Sequence, residues 1–281
     1  MRVLKIHTVN VCVCMCVCVC VEMRKKCLVV GSWNVRTLVE MSGDERICRK
    51  RHVGRVTQCE ELGVVDRKLD LVVRELKRYR VSVAGIQESK WFGNDVWQAG
   101  GYTFLHSGRP LPSDNDRATR NEGVRIALDE KALKAWRNAG EQWEAVSSRL
   151  VTARLQWRSG RKDVRKDRVY LSVLCAYAPT AKATPGVKEK FYTELQDAMD
   201  KVPPSDILIV VGDFNARVGV LDSSNVLWRG ILGRHGLSER NRSGEELLEF
   251  CVMNELSIMN TWYEKKEIHQ GTWTHPATKK R

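Results

Sequence analysis

The sequence predicts an α/β fold whose sheets are substantially antiparallel. Three observations carry this. Short apolar runs of strand character alternate with stretches whose apolar residues recur at helical spacing. Two long runs, "SSRLVTARLQWR" and "DRVYLSVLCAYAP", flank the basic turn "SGRKDVRK" and so read as a long hairpin. No internal repeat and no linker divides the chain, so strands and helices belong to one body.

The elements follow in order. "CLVVGSWNV" is a buried strand ending in polar residues, and a basic, irregular stretch runs from Asp44 to Asp66. In "KLDLVVRELKRY", Leu69, Val72, Val73 and Leu76 fall on one helical face. "VSVAGIQES", "GYTFLHSG" and "EGVRIALDE" read as three further strands, followed by the hairpin. Thr184 and Pro185 open a helix as N-cap and first residue, with Val187, Phe191, Leu195 and Met199 as its apolar stripe. "DILIVVGDFN" is the strongest strand. Ser243 to Glu246 has the spacing of a capping box, with Leu247, Leu248 and Cys251 following on one face. "LSIMNTW" and "GTWTHP" read as short closing strands.

Composition narrows the function. With 43% hydrophobic residues in 281, the chain can build a core, which excludes wholesale disorder. A formal charge of +13 favours polyanionic partners such as nucleic acid or phosphorylated substrates. Of ten cysteines, none forms a C-x-x-C pair or has zinc-finger spacing with a histidine. They read as reduced thiols of an intracellular protein, the nucleus included.

Five of those cysteines lie in "VNVCVCMCVCVCVEM". Alternation places all five on one face of a strand, which suits neither tetrahedral zinc nor mutual disulfides. The apolar stretch is shorter than the roughly 20 residues that span a bilayer, so no membrane partner is expected. It has no small-x-small cleavage site, which leaves a signal peptide as the lesser reading. GTG encodes Val and TGT encodes Cys, so a GT dinucleotide repeat translates as this run. Residues 1–22 are therefore set outside the fold, and 23–281 are read as the domain.

Several strands end in polar groups. Asn34 closes "LVVGSWN", Glu88 closes "VAGIQE", Tyr177 stands in "SVLCAYAP", and Asp213 and Asn215 close "LIVVGDFN". Strand ends in a layered α/β fold converge on one rim, where sites are built. Two carboxylates, two carboxamides and a phenol there suit a hard cation such as Mg²⁺ and a phosphate. A carboxylate can deprotonate an attacking water, while Asn and Tyr donate to phosphoryl oxygens as charge builds. Singly, each has an ordinary structural explanation, such as a turn Asn or a core Tyr. The inference rests on the set.

In this order, "GSWNVRTL", "GIQESKW", "AYAPT", "VVGDFNARVG", "GRHGLSERNRSGEELLEFC" and "GTWTHP" resemble the endonuclease/exonuclease/phosphatase superfamily, nearest to endonuclease domains of non-LTR retrotransposons. The resemblance covers residues 28–278. It implies two packed β-sheets flanked by helices, as in DNase I-like sandwiches, and a monomeric metal-dependent hydrolase of DNA using Mg²⁺ or, as an alternative, Mn²⁺. Glu88 matches the family's metal-binding Glu, and Asn34 the Asn supporting the metal shell. Tyr177 matches the Tyr beside the scissile phosphate, Asp213 the Asp that activates water, and Asn215 its phosphate-positioning partner. Thr272 matches a residue near the substrate backbone. Separately, the turn from Arg158 to Arg168, including Arg161 and Lys162, has six positive and two negative residues and is a candidate phosphate contact outside the site.

The chain also departs from the pattern. Arg125 stands where Gly-Val-Gly-Ile is common, and Ser238 where Gly is usual. There is no Ser-Asp-His segment and no second metal-side Asp, and none of the six histidines, His7, His52, His106, His235, His269 and His275, matches the family's catalytic one. Read as a C-terminal truncation, this predicts missing closing strands, an unpaired sheet edge and weakened or lost activity. A phosphomonoesterase or lipid phosphodiesterase of the same superfamily, and a non-catalytic nucleic-acid-binding relic, are the competing readings.

Overall fold

A computed structural model describes residues 4–8, 19–23, 26–35, 50–53, 56–59, 67–110, 122–158, 168–221, 226–236 and 239–264. The elements in chain order are β1 Leu4–Thr8, β2 Val19–Met23, β3 Lys26–Asn34, β4 Lys50–Val53, β5 Val56–Cys59, α1 Arg67–Arg78, β6 Val83–Gln87, β7 Asn94–Ala99, β8 Tyr102–Ser107, β9 Val124–Leu128, α2 Glu130–Asn138, β10 Trp143–Ser147, β11 Leu150–Arg158, β12 Arg168–Tyr177, α3 Pro185–Asp200, β13 Ile207–Asp213, α4 Arg242–Met253 and β14 Leu256–Ile258. They form an eight-stranded sheet, β2-β3-β6-β9-β8-β7-β5-β4, and a six-stranded sheet, β10-β11-β12-β13-β1-β14. Both are mixed: β3∥β6 and β12∥β13 are parallel, while β6–β9, β8–β9 and β11–β12 are antiparallel.

Three apolar clusters define four layers. Between the sheets lie Val30, Val83 and Ile126 from one and Val151, Val173 and Val211 from the other. Behind the larger sheet, Leu69, Val72, Val73 and Leu76 of α1 pack on Ala84, Ile86 and Phe104. Behind the smaller, Phe191 and Leu195 of α3 and Leu247 and Leu248 of α4 cover Leu174 and Val210. Burying each such Leu or Val stabilises by about 2 kcal/mol. Strands with both faces covered need near-continuous apolar sequence, and "ILIVV" in β13 meets that need. Gly212 permits the close approach of β13 to β12, since a Cβ there would lie 2.0 Å from the Ala176 carbonyl oxygen. The fold class read from the sequence is thus the observed one: two packed mixed sheets with helices outside.

Several local expectations change. The α4 cap is Asn241, whose side chain accepts from the Gly244 N–H, and not Ser243. Ser243 lies inside the helix, where its hydroxyl and the Glu246 carboxylate both take Lys188 of α3. Val187 is exposed, because only the later turns of α3 face the sheet. The stretch from Asp44 to Asp66, read as irregular, contains the paired strands β4 and β5. Residues 1–22 are set aside by the sequence reading, yet β1 pairs in parallel with both β13 and β14, and β2 pairs antiparallel with β3. Backbone donors and acceptors of β1 thus complete the ladder beside β13, and β14 is the last strand of that sheet among the described residues. Arg158 closes β11 opposite Arg168, at the far end of the hairpin from Tyr177. Thr272, Arg161 and Lys162 lie outside the described residues.

Candidate active site

Two parallel pairs fix the rim. In β3∥β6, Asn34 is level with Gln87, so Glu88 follows at the same end; in β12∥β13, Tyr177 is level with Asp213. Face-to-face packing of the sheets then brings these four strand ends together. The Asn34 Nδ2 group makes the link, donating to Glu88 Oε1 at 2.7 Å and to Asp213 Oδ2 at 2.7 Å. The Tyr177 hydroxyl donates to the same Glu88 oxygen at 3.0 Å. Asn215 donates its backbone N–H to Asp213 Oδ1 at 2.9 Å and its side-chain amide to the Ala178 carbonyl at 2.8 Å. All five rim residues read from the sequence share one hydrogen-bonded cluster.

The backbone is strained here. Glu88 and Asn215 have φ of +56° and +48°, a region that a Glu adopts at a cost of about 1 kcal/mol or more. Such strain persists only where the surroundings over-determine it.

The electrostatics are unbalanced in one direction. Burial, reinforced by the Glu88 charge, holds the Asp213 carboxyl above its usual range, against the opposing effect of hydrogen bonds from Asn215 and Asn34. Burial and then the charges of Glu88 and Asp213 push the Tyr177 phenol upward, so it remains a donor. Neither carboxylate pairs with a Lys or Arg among the described residues. The described residues also contain no set of three His, Cys, Asp or Glu suited to a metal. Two carboxylates bridged by an amide are a poor zinc site but match the habit of Mg²⁺, which takes one or two carboxylates and keeps its waters. A divalent cation would also relieve the Glu88–Asp213 repulsion.

Three supports went unread in the sequence. Gln87 is fully buried beneath the rim, where it accepts from Ser32 Oγ at 3.2 Å and donates to Cys175 Sγ at 3.2 Å, tying the two sheets together. Its signal was an amide inside an apolar run. The Cys175 thiol is pushed up to about 12 by burial, which excludes it as a nucleophile at neutral pH. Arg149 lies over the Tyr177 ring at 5.2 Å and donates to the Tyr177 carbonyl at 3.1 Å. Glu122 holds Arg149 and also takes Arg109 and Ser148. Burial alone would raise the Glu122 carboxyl, but the bonds from Arg109 and Ser148 and the Arg149 charge bring it below its usual range.

Among the described residues, no helix is long and apolar enough to cross a membrane. No protein-family model matches the chain. It is 29% identical over 247 residues to craniofacial development protein 2 of Bos taurus, covering 87% of this chain and 37% of that protein. It is 28% identical to craniofacial development protein 2 of Tragulus javanicus over 87% of this chain and 38% of that one. The chain thus spans little more than a third of these curated relatives. The catalytic domain of human Nocturnin, solved with bound sulfate, overlaps 54% of this chain and 58% of its own at 11% identity and a TM-score of 0.34, too distant to bear on the fold. Extended similarity to the craniofacial development protein 2 sequences, over a chain whose ordered motifs meet at one rim, supports an endonuclease/exonuclease/phosphatase-like protein.

Proposed function

We propose that the rim is the active site of a Mg²⁺-dependent phosphodiesterase acting on DNA, of the kind found in retrotransposon endonuclease domains, with Mn²⁺ as a substitute metal. The observation that carries this is the Asn34 amide held between the Glu88 and Asp213 carboxylates across the two sheets. Glu88, supported by Asn34, would hold the cation, which when bound would supply Lewis-acid withdrawal of charge from a phosphoryl group. Asp213, raised by burial and by Glu88, is poised to take the proton of an attacking water. Asn215 orients Asp213 through its backbone N–H. The Tyr177 phenol, kept protonated, turns from Glu88 to the phosphate as negative charge develops there. The surplus of positive charge favours nucleic acid as the polyanion, with the basic stretch from Arg158 to Arg168 as a phosphate contact outside the site.

The test is nicking of supercoiled plasmid in Mg²⁺, run beside inositol phosphates and with Glu88→Ala and Asp213→Ala as controls. Nicking that needs the metal and both carboxylates is expected. Hydrolysis of inositol phosphates with DNA untouched, or nicking indifferent to both substitutions, would sink the reading.

A further inference from the structure

Arg125 is fully buried on β9, beside Ile86 of β6 on one side and His106 of β8 on the other. Its guanidinium lies 4.1 Å from the Trp91 ring centre and 4.8 Å from that of Trp97, and the two indoles stack at 5.3 Å. Trp97 continues the stack onto Phe104 at 5.4 Å. Arg125 Nε also donates to His106 Nδ1 at 3.4 Å. A planar, weakly hydrated cation suits such a desolvated aromatic corner as an ammonium does not.

Trp91 belongs to the short loop that leaves β6 and presents Glu88. That loop has left-handed backbone at Glu88 and again at Lys90, with φ of +56° and +59°. Two strained residues so close together relax unless something holds them. On one side the holder is backbone: Ser89 and Lys90 donate their N–H groups to the carbonyls of Gly123 and Glu122, at 3.1 and 2.9 Å. Gly123 is itself at φ +118°, and a Cβ there would come within 2.5 Å of Ser89 Oγ. On the other side the holder is the Trp91 indole, fixed against Trp97 and the Arg125 guanidinium.

We infer that Arg125 is a positioning residue for the Glu88 carboxylate, acting through Trp91 to hold the Glu88–Trp91 loop in its strained form; its consequence for metal binding rests on the function proposed above. The residue that departs from the Gly-Val-Gly-Ile pattern thereby contributes to the site. Restoring Gly would remove a fully buried side chain from the aromatic corner, leave one indole face without its cation and release the loop.

The experiment uses the whole chain, with amide hydrogen exchange at Ser89 and Lys90 measured without metal and Mn²⁺ affinity measured by electron paramagnetic resonance. Arg125→Gly and Arg125→Lys are each expected to speed exchange at those two amides and to weaken Mn²⁺ by about tenfold or more, the size of one lost desolvated cation–π contact. Leu232→Ala, a core truncation in the cluster behind the smaller sheet, controls for general loss of stability and should leave both amides protected. If Arg125→Gly does not fold, Arg125→Lys carries the comparison. Wild-type exchange at Ser89 and Lys90 in the Arg125 variants, or the same acceleration in Leu232→Ala, overturns the inference. Mn²⁺ affinity equal in wild type and Glu88→Ala overturns the metal reading instead, and exchange at the two amides then decides the role of Arg125 alone.

Discussion

Two carboxylates stand at opposite ends of β13, and their partners differ in kind. Asp206, just before the strand, has a fully buried side chain; it takes two bonds from the Arg154 guanidinium, at 2.7 and 2.9 Å, and one from Ser172. Asp213, at the strand's far end, receives amide donors and faces a second carboxylate. The Asp206 cluster is charge-balanced and complete, so it needs nothing from solution. The Asp213 cluster keeps two negative charges close together with neutral donors between them. A buried charge without its counter-charge is costly, and the cheapest remedy is a cation from solution. The difference separates a structural ion pair from a candidate site better than burial does.

The largest expected effect of these two clusters is on rate. Asp213→Asn and Glu88→Gln should each lower Mg²⁺-dependent nicking by about 10²–10⁴, while Asp206→Asn, assayed where it is folded, should stay within a few-fold of wild type. Next is stability, which should run the other way. Asp206→Asn strips the counter-charge from Arg154 and should cost about 3 kcal/mol in denaturant unfolding. Asp213→Asn removes one of two repelling carboxylates and should raise the midpoint of the metal-free protein. A loss of comparable size in both variants would erase the difference between the two clusters.

Metal linkage sharpens it further. At a Mg²⁺ concentration of 100 times the dissociation constant, wild type and Asp206→Asn should gain about 2.7 kcal/mol, and Glu88→Gln should lose most of that gain. Titration offers a smaller signal with opposite signs at two sites. The Asp213 pKa is raised in the folded state, so its contribution is fully present below the unfolded carboxyl value and is lost as pH rises through the folded value. The Glu122 pKa is lowered, so its contribution is present above the unfolded value and is lost as pH falls through the folded one. Subtracting the stability profiles of Asp213→Asn and Glu122→Gln from that of the metal-free wild type should give slopes of opposite sign in the acid range. The smallest effect is remote from both clusters: Asn241→Ala should cost about 1 kcal/mol through its lost cap and leave Mg²⁺ affinity unchanged.

The rim was legible because its signal is local. Asn34, Glu88, Tyr177, Asp213 and Asn215 each follow an apolar run, and parallel pairing alone sends such ends to one side. Strands buried on both faces were legible for the same reason, as with β13. The missed elements carry weaker patterns. β7 and β10 are only partly buried and mix polar with apolar residues, and α2 is nine residues long with its apolar face on Ala132, Ala135 and Trp136. The Arg149–Glu122–Arg109 network was invisible because its members are far apart in sequence and meet only through pairing of the strands. The cap at Asn241 was misread because Ser243 and Glu246 have capping-box spacing but are spent on Lys188 across the helix pair.

The left-handed backbone at Glu88 sets what mutation would do to this chain if nothing opposed it. Glycine adopts φ of +56° without steric cost, so Glu88→Gly relieves strain and removes a negative charge from beside Asp213. At this one position, drift toward greater thermal robustness and retention of a carboxylate point in opposite directions. Random mutagenesis selected only for heat resistance should therefore recover Gly or Asn at residue 88 early, and a library selected for metal binding should discard them.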